Sequence, residues 1–127
     1  MRTRSSLKII AAASAFALGA CAMFQKPVEP MLVGTWTNSL GTVWMMKDDG
    51  TFDVDLDQNG KRDGWGTWAV SAHSVLTLQR TGGIKPKGCG EKGIYRFTLT
   101  GGNLQFTLVS DPCKLRRKNL LLTWHRR

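Results

Sequence analysis

The chain has 127 residues, a length that predicts one domain with a small hydrophobic core and excludes a second domain of ordinary size. Its 18 basic and 9 acidic side chains give a formal net charge of +9. Despite this charge, no recognised nucleic-acid-binding module is present, so nucleic acid is not expected as a partner.

The first twenty residues have the parts of a secretion signal. Three basic residues lie within the first eight positions, and the twelve residues from Ile9 to Ala20 are apolar except for Ser14. As a helix this run extends about 18 Å, well short of the roughly 30 Å core of a bilayer. Residues 1–20 are therefore predicted to be a removable signal helix, and the mature chain keeps a net charge of +6.

The apolar run ends in Leu18-Gly19-Ala20-Cys21, which resembles the lipobox of bacterial lipoproteins. In that family the cysteine becomes the mature N-terminus and carries acyl chains such as palmitate, and several chains anchor a protein stably. The resemblance implies covalent lipid on Cys21 and an envelope protein held at a membrane. Because Ala22 follows, and not an aspartate, it implies the outer membrane, facing the periplasm, in a host with two membranes. The alternative is an ordinary cleavable signal that happens to contain a cysteine.

The chain after Cys21 divides into a tether and a β-domain. Residues 21–31 contain two prolines and no apolar periodicity, which predicts a tether before a domain at 32–127. Short segments in which apolar and polar residues alternate then follow, separated by glycine-rich breaks, a pattern typical of β-proteins. No window predicts an amphipathic helix of useful length. Eight strands are predicted, at about 32–37, 42–47, 51–57, 64–70, 74–80, 93–100, 103–110 and 119–126. The faces predicted to point to the core are Phe52/Val54/Leu56, Leu76/Leu78, Tyr95/Phe97/Leu99, Leu104/Phe106/Leu108 and Leu120/Leu122/Trp124.

The pair Gly101-Gly102 predicts a two-residue hairpin turn. The facing pairs that this turn predicts are Thr100/Asn103, Leu99/Leu104, Phe97/Phe106 and Tyr95/Leu108. Extending the register brings Cys89 within one residue of facing Cys113. Lipid on Cys21 leaves these two cysteines as an even pair in an oxidising compartment, so a disulfide between them is predicted.

Eight short antiparallel strands leave exposed edges unless they close, so the predicted fold is an all-β, antiparallel up-and-down barrel. Gly34-Thr35-Trp36 resembles the first-strand Gly-x-Trp motif of the lipocalin-like, or calycin, barrels, and the motif recurs at Gly66-Thr67-Trp68. The resemblance implies that Arg126, in the last strand, lies over Trp36. An eight-stranded barrel is only wide enough for side chains or one small ligand. The aromatic residues expected inside, as core or as ligand contacts, are Trp36, Trp68, Tyr95, Phe97, Phe106 and Trp124.

Residues 55–63 resemble the oxygen-rich part of a calcium loop, in which alternate side chains and one backbone carbonyl converge around a glycine turn. The residues that would bind Ca²⁺ are Asp55, Asp57, Asn59 and Asp63 through side-chain oxygens, and Lys61 through its carbonyl. Gly66 stands where the helical version has a glutamate, and the flanks have strand patterns. The alternative is a polar hairpin tip whose aspartates face water.

Basic residues concentrate late in the chain, where residues 80–127 hold eleven bases and two acids. A solvated loop and tail is the favoured interpretation, and contact with anionic lipid headgroups or phosphates near the anchor is the alternative. The residues concerned are Lys114, Arg116, Arg117, Lys118, Arg126 and Arg127.

The sequence contains no recognised catalytic motif, and its two histidines, His73 and His125, fall in a predicted turn and in the final strand. The resulting prediction is a non-enzymatic, lipid-anchored, lipocalin-like envelope protein that binds a small hydrophobic molecule or an envelope component. The alternatives are a protein-binding module, such as a periplasmic inhibitor of proteases or lysozyme, and a purely structural lipoprotein.

Overall fold

The computed structural model describes residues 29–127, which form a closed antiparallel barrel. The strands are β1 (Gly34–Thr37), β2 (Val43–Met46), β3 (Thr51–Asp55), β4 (Gly64–Ser71), β5 (Val75–Gly83), β6 (Gly93–Thr100), β7 (Asn103–Ser110) and β8 (Trp124–Arg126). Each strand pairs with its neighbours along the chain, and β8 pairs with β1. A 3-10 turn (Pro30–Leu32) precedes β1, and a helix, α1 (Lys114–Leu120), connects β7 to β8. The prediction of an eight-stranded, all-β up-and-down barrel is confirmed.

The predicted signal helix, the lipid on Cys21 and most of the tether lie outside the described residues. Among residues 29–127, no helix is long and apolar enough to cross a membrane.

Because the strands run antiparallel in chain order, their connections fall alternately at two ends of the barrel. The turn end contains the 3-10 turn, the end of β8 and the connections 47–50, 72–74 and 101–102. The helix end contains α1 and the connections 38–42, 56–63, 84–92 and 111–123. Leu32, in the 3-10 turn, is fully buried and belongs to the core, so the turn end is closed by this segment.

Aromatic rings dominate the core, because the inward-facing positions recur at every second residue along the strands. Trp44 lies near its centre, with ring-centroid distances of 5.2 Å to Trp124 and 5.7 Å to Phe106. The other aromatic residues of the core are Trp36, Phe52, Trp68 and Tyr95, with Phe97 packed against its edge. Most of the interior is therefore filled by side chains.

The β6–β7 hairpin confirms the predicted register, including the pairs Leu99/Leu104, Phe97/Phe106 and Tyr95/Leu108. Gly101 and Gly102 have φ angles of 58° and 84°, the left-handed values that such a turn requires. The predicted disulfide between Cys89 and Cys113 is present and joins residues 24 positions apart.

The last predicted strand, 119–126, is wrong over its first half, where α1 ends and a short connection leads to β8. Cys113 caps α1, since its sulfur accepts a hydrogen bond from the N–H of Arg116 at 3.4 Å. The lysine, leucine and arginine residues that follow are good helix formers. A seven-residue helix is too short to produce a helical period in the sequence, while the apolar residues at 120, 122 and 124 imitate a strand.

One predicted core position also differs, because Leu108 is 41% exposed. β8 pairs only with Asn103 and Leu104 of β7. The far half of β7 therefore has no neighbouring strand on that side, and Leu108 is left exposed although it pairs with the buried Tyr95.

Candidate functional site

A cavity of about 100 Å³, the cup, lies at the helix end of the barrel. Trp44, Val54 and Leu78 form walls from β2, β3 and β5, because these positions face the barrel interior. Leu115 and Leu120 of α1 complete the lining. The surface of the cup is almost wholly hydrocarbon and partly open to solvent, so it suits an apolar group.

Arg80 is the charged residue of β5 among those that line the cup. It follows Leu76 and Leu78 at period two along β5, which directs its side chain to the same inner face. Its guanidinium donates hydrogen bonds to the carbonyls of Cys89 at 3.4 Å and Gly83 at 3.3 Å. It takes part in none of the ion pairs formed within residues 29–127. No carboxylate in this part of the chain therefore neutralises it at close range.

Trp124 borders the cup with an unused hydrogen-bond donor. The residue is 1% exposed, and its Nε1 is the one buried side-chain nitrogen or oxygen of the described chain that lacks a partner. By contrast, the indole of Trp36 donates to the carbonyl of Leu32 at 2.9 Å, and that of Trp68 to the carbonyl of Lys47 at 3.0 Å. A buried donor without an acceptor costs about 1 to 3 kcal/mol.

A buried polar network joins the C-terminal part of α1 to the β1–β2 connection. The Asn119 Oδ1 accepts hydrogen bonds from Thr42 Oγ1 at 2.6 Å and from Asn38 Nδ2 at 3.2 Å. Its Nδ2 donates to the carbonyl of Leu115 at 3.1 Å. Because these groups satisfy one another, the network fixes α1 beside the cup rather than offering a ligand its polar atoms.

Asp111 fixes the N-terminal part of α1. Its carboxylate accepts hydrogen bonds from the Tyr95 hydroxyl, from Arg116 Nε and Nη2 at 2.7 Å each, and from the N–H of Cys113 at 2.8 Å. Burial opposes ionisation of Asp111, but the hydrogen bonds from Arg116 and Tyr95 outweigh it and hold the pKa below its usual 3.8. Burial and the neighbouring carboxylate raise the pKa of Tyr95. Arg116 also lines the cup, but Asp111 neutralises its charge.

The β3–β4 connection brings together three of the predicted calcium ligands. Carboxylate oxygens of Asp55, Asp57 and Asp63 lie within 4.8 Å of one another. Asp55 also accepts hydrogen bonds from the N–H groups of Asn59 at 3.2 Å and Gly60 at 2.8 Å. Although desolvation opposes ionisation, these N–H groups lower the pKa of Asp55. The three carboxylates form a donor set of the chemical class that calcium takes in proteins.

The side-chain oxygen of Asn59, another predicted calcium ligand, is already engaged. The Asn59 Oδ1 accepts a hydrogen bond from the N–H of Lys61 at 2.8 Å, and its Nδ2 donates to Asp57 at 3.3 Å. The Asn59 side chain thus supports the turn. Calcium binding remains a prediction for this loop.

The late basic residues lie at both ends of the barrel. Four belong to α1 at the helix end, and Arg126 and Arg127 follow at the turn end. Within α1, Arg116 is paired with Asp111 and Arg117 donates to the Asp111 carbonyl at 2.6 Å. The remaining two, Lys114 and Lys118, are exposed. The structure therefore does not gather the six residues into one patch.

The charged residues around the cup were not indicated by any sequence motif. Arg80 continues the period-two series of Leu76 and Leu78, and this continuation is the signal that places it inside. Asp111 lies just before α1 and Arg116 in its first turn, and the sequence pattern does not reveal this helix. No protein-family model matches this chain, and no significantly similar sequence is found among curated proteins.

Proposed function

We propose that this protein is a lipid-anchored, non-enzymatic binding protein of the cell envelope, whose ligand is a small hydrophobic molecule held in the cup. The observation that carries this proposal is the apolar cavity at the helix end of an otherwise filled barrel. Small-molecule sites in proteins are typically concave and apolar with a few polar groups, and the mouths of β-barrels are common places for them. The side chains of Arg80 and Trp124 form part of the lining here.

The two ends of the barrel support an anchored arrangement. Glu29 and the 3-10 turn lie at the turn end, whereas the cup lies at the helix end. Lipid on Cys21 would therefore hold the barrel by the end opposite the cup. The mouth would face away from the membrane, toward soluble ligands.

Filling the cup tests the ligand proposal. In the Val54→Phe variant, the added aromatic ring would fill part of the cup. We therefore expect the affinity for 1-pentanol to fall at least about tenfold. Val109→Phe is the matched control, because Val109 is 49% exposed on β7 and does not line the cup. Binding is measured by tryptophan fluorescence of the mature protein in phosphatidylcholine nanodiscs, since Trp44 and Trp124 border the cavity. Equal affinities in both variants, or no saturable binding by the unaltered protein, would overturn the proposal.

A second candidate is a protein-binding role, such as that of an envelope inhibitor. Leu40, Ile84 and Leu121 are each about half exposed, and all three lie on connections at the helix end. Exposed apolar side chains at one end of a small protein favour contact with a partner surface. Leu40→Ser with Leu121→Ser would abolish stoichiometric capture of one envelope protein under this hypothesis while leaving pentanol binding intact.

A further inference from the structure

We propose that the helix end of the barrel docks the acidic surface of another protein. This inference rests on the protein-binding candidate above and names the chemistry of the partner. The docking surface lies outside the cup and consists of five exposed lysines, the lysine patch: Lys85, Lys87, Lys92, Lys114 and Lys118.

The lysine patch comes from two connections that are distant in sequence, one after β5 and one after β7. The disulfide between Cys89 and Cys113 joins them, with a Cα–Cα distance of 4.3 Å. Lys87 stands two residues before the first cysteine, and Lys114 directly follows the second. The disulfide therefore brings lysines of both connections to the same side of the helix end.

Two further contacts hold the connections together. The Arg116 Nη2 donates a hydrogen bond to the carbonyl of Glu91 at 2.6 Å, beside Lys92. A Cβ atom on Gly88 would lie 2.6 Å from the carbonyl oxygen of Pro112, so the two backbones are in close contact there. The lysines thus stand on a fixed surface rather than on independent loops.

The positive charge of this surface is not balanced locally. None of the five lysines takes part in an ion pair within residues 29–127. The two connections contain only two acidic residues, and one of these, Asp111, is buried and paired with Arg116. Glu91 is therefore the one exposed carboxylate beside five exposed ammonium groups.

The lysines of α1 do not serve the stability of the helix. Lys114 is its first residue, where the helix dipole disfavours a cation, and the first turn contains no acidic residue. Lys118 follows four residues later on the same helix face, so the two like charges repel each other. Carboxylates of a partner would relieve both effects.

Ile84 adds an apolar contact at the edge of the lysine patch. Its side chain is 48% exposed, and Lys85 directly follows it. Protein interfaces commonly combine apolar contacts with a polar rim. We therefore expect the partner surface to carry an aliphatic side chain flanked by carboxylates.

The position of the patch favours a protein partner over a lipid surface. In the anchored arrangement proposed above, the helix end faces away from the membrane, so the headgroups of that membrane are out of reach. The converging carboxylates of the β3–β4 connection lie elsewhere at the same end. They would repel an acidic partner, which confines it to the lysine patch and sets its orientation.

The test uses a fluorescein-labelled peptide with a central leucine between two runs of four glutamates. Fluorescence anisotropy measures its binding to the mature protein in phosphatidylcholine nanodiscs. We expect saturable binding that weakens at least about tenfold when NaCl rises from about 20 to about 500 mM, because salt screens exposed charges. A serine-centred peptide should bind about threefold more weakly, and a peptide with lysines in place of the glutamates should not bind.

Variants locate the binding surface. Lys87→Glu with Lys114→Glu should weaken binding of the glutamate peptide at least about tenfold. Arg96→Glu with Arg127→Glu is the matched control, because it changes the net charge equally at two exposed arginines outside the patch. The control should weaken binding less than about twofold. Retained binding of 1-pentanol in both double variants shows that the barrel is folded.

Equal losses in the two double variants would show that only net charge matters and would overturn the docking site. Binding of phosphatidylglycerol vesicles through the same lysines, without binding of the peptide, would assign the patch to a lipid surface and overturn it as well. If the peptide does not bind while stoichiometric capture through Leu40 and Leu121 persists, the protein-binding candidate stands and the acidic partner is wrong.

Discussion

Arg126 connects the last strand to the segment that precedes the first. Its guanidinium lies 4.4 Å from the ring centroid of Trp36 and donates hydrogen bonds to the carbonyls of Val33 at 3.0 Å and Met31 at 2.6 Å. A Cβ atom on Gly34 would lie 2.6 Å from Arg126 Nη1, so the glycine of the Gly-x-Trp motif leaves room for the arginine. The motif and the arginine thus act as one structural unit at the turn end.

Removing this side chain should loosen the turn end. We expect Arg126→Ala to lower the free energy of unfolding by about 2 kcal/mol, because a cation–π contact and two charge-assisted hydrogen bonds are lost. Arg127→Ala is the control, since that side chain is exposed. Urea titrations of both variants measure the effect, and equal losses would show that Arg126 has no special role.

Asp111 predicts a specific dependence of stability on pH. Asp111→Asn should cost about 3 kcal/mol at pH 7, because Arg116 and Tyr95 lose their buried anionic partner. The folded-state pKa of Asp111 lies below the unfolded value, so its contribution is present above about pH 4 and is lost as the pH falls through the folded pKa. In denaturant titrations at pH 7 and pH 3, the difference from the unaltered protein should shrink at pH 3. Asp48→Asn, at an exposed aspartate, should show no such difference at either pH.

At the scale of elements, α1 is held by three separate attachments: the disulfide, Asp111 and the Asn119 network. Of these three attachments, only the disulfide could be predicted from the sequence. The disulfide follows from the hairpin register, since Gly101-Gly102 fixes which residues face one another. The helix does not, because its seven residues are too few to show a helical period, and its position depends on contacts made far apart in sequence.

The disulfide should determine how firmly α1 is held. We expect Cys89→Ala with Cys113→Ala to lower the free energy of unfolding by about 3 kcal/mol, the usual effect of opening a loop of this length. Hydrogen exchange of the amides of Arg117 and Leu121, which bond within α1, should accelerate as well. Dithiothreitol should destabilise the unaltered protein but not the double variant. A double variant as stable as the unaltered protein would contradict this role.

The β3–β4 connection gives the test of calcium binding. If calcium binds, millimolar calcium should raise the thermal midpoint of the unaltered protein, and chelator should reverse the rise. Asp55→Asn with Asp57→Asn should abolish the shift, because two of the three converging carboxylates are removed. Asp48→Asn should retain it. A midpoint that calcium leaves unchanged would favour the alternative, a polar hairpin tip.

The barrel as a whole could be predicted from two sequence patterns, the alternation of apolar residues and the glycine-rich turns. The need to close the exposed sheet edges then favours a barrel. The cup does not follow from them. Whether inward-facing side chains meet or leave a space depends on packing between residues such as Trp44 and Trp124, which are distant in the chain. The sequence pattern therefore predicts the barrel but not the cup inside it.

The proposed lipid anchoring has its own test. We expect Cys21→Ser to move the protein from the membrane fraction to the soluble fraction, because the serine cannot receive the thioether-linked lipid. The double variant Cys89→Ala with Cys113→Ala should remain in the membrane fraction. Recovery of the Cys21→Ser variant with the membrane would contradict lipid anchoring at this position.

If the chain is exported as proposed, the pairing of β8 with β1 determines when the barrel can close. β1 meets partners at Trp36↔Arg126 and Thr37↔His125, so the seam of the barrel joins residues about ninety positions apart. A chain that crosses a membrane from its N-terminus cannot close this seam until β8 has emerged. Until then the aromatic interior stays open between β1 and β7. The strand that completes the barrel, β8, is also among the last segments to cross. In an exported chain, release from the export machinery and completion of the fold would therefore coincide.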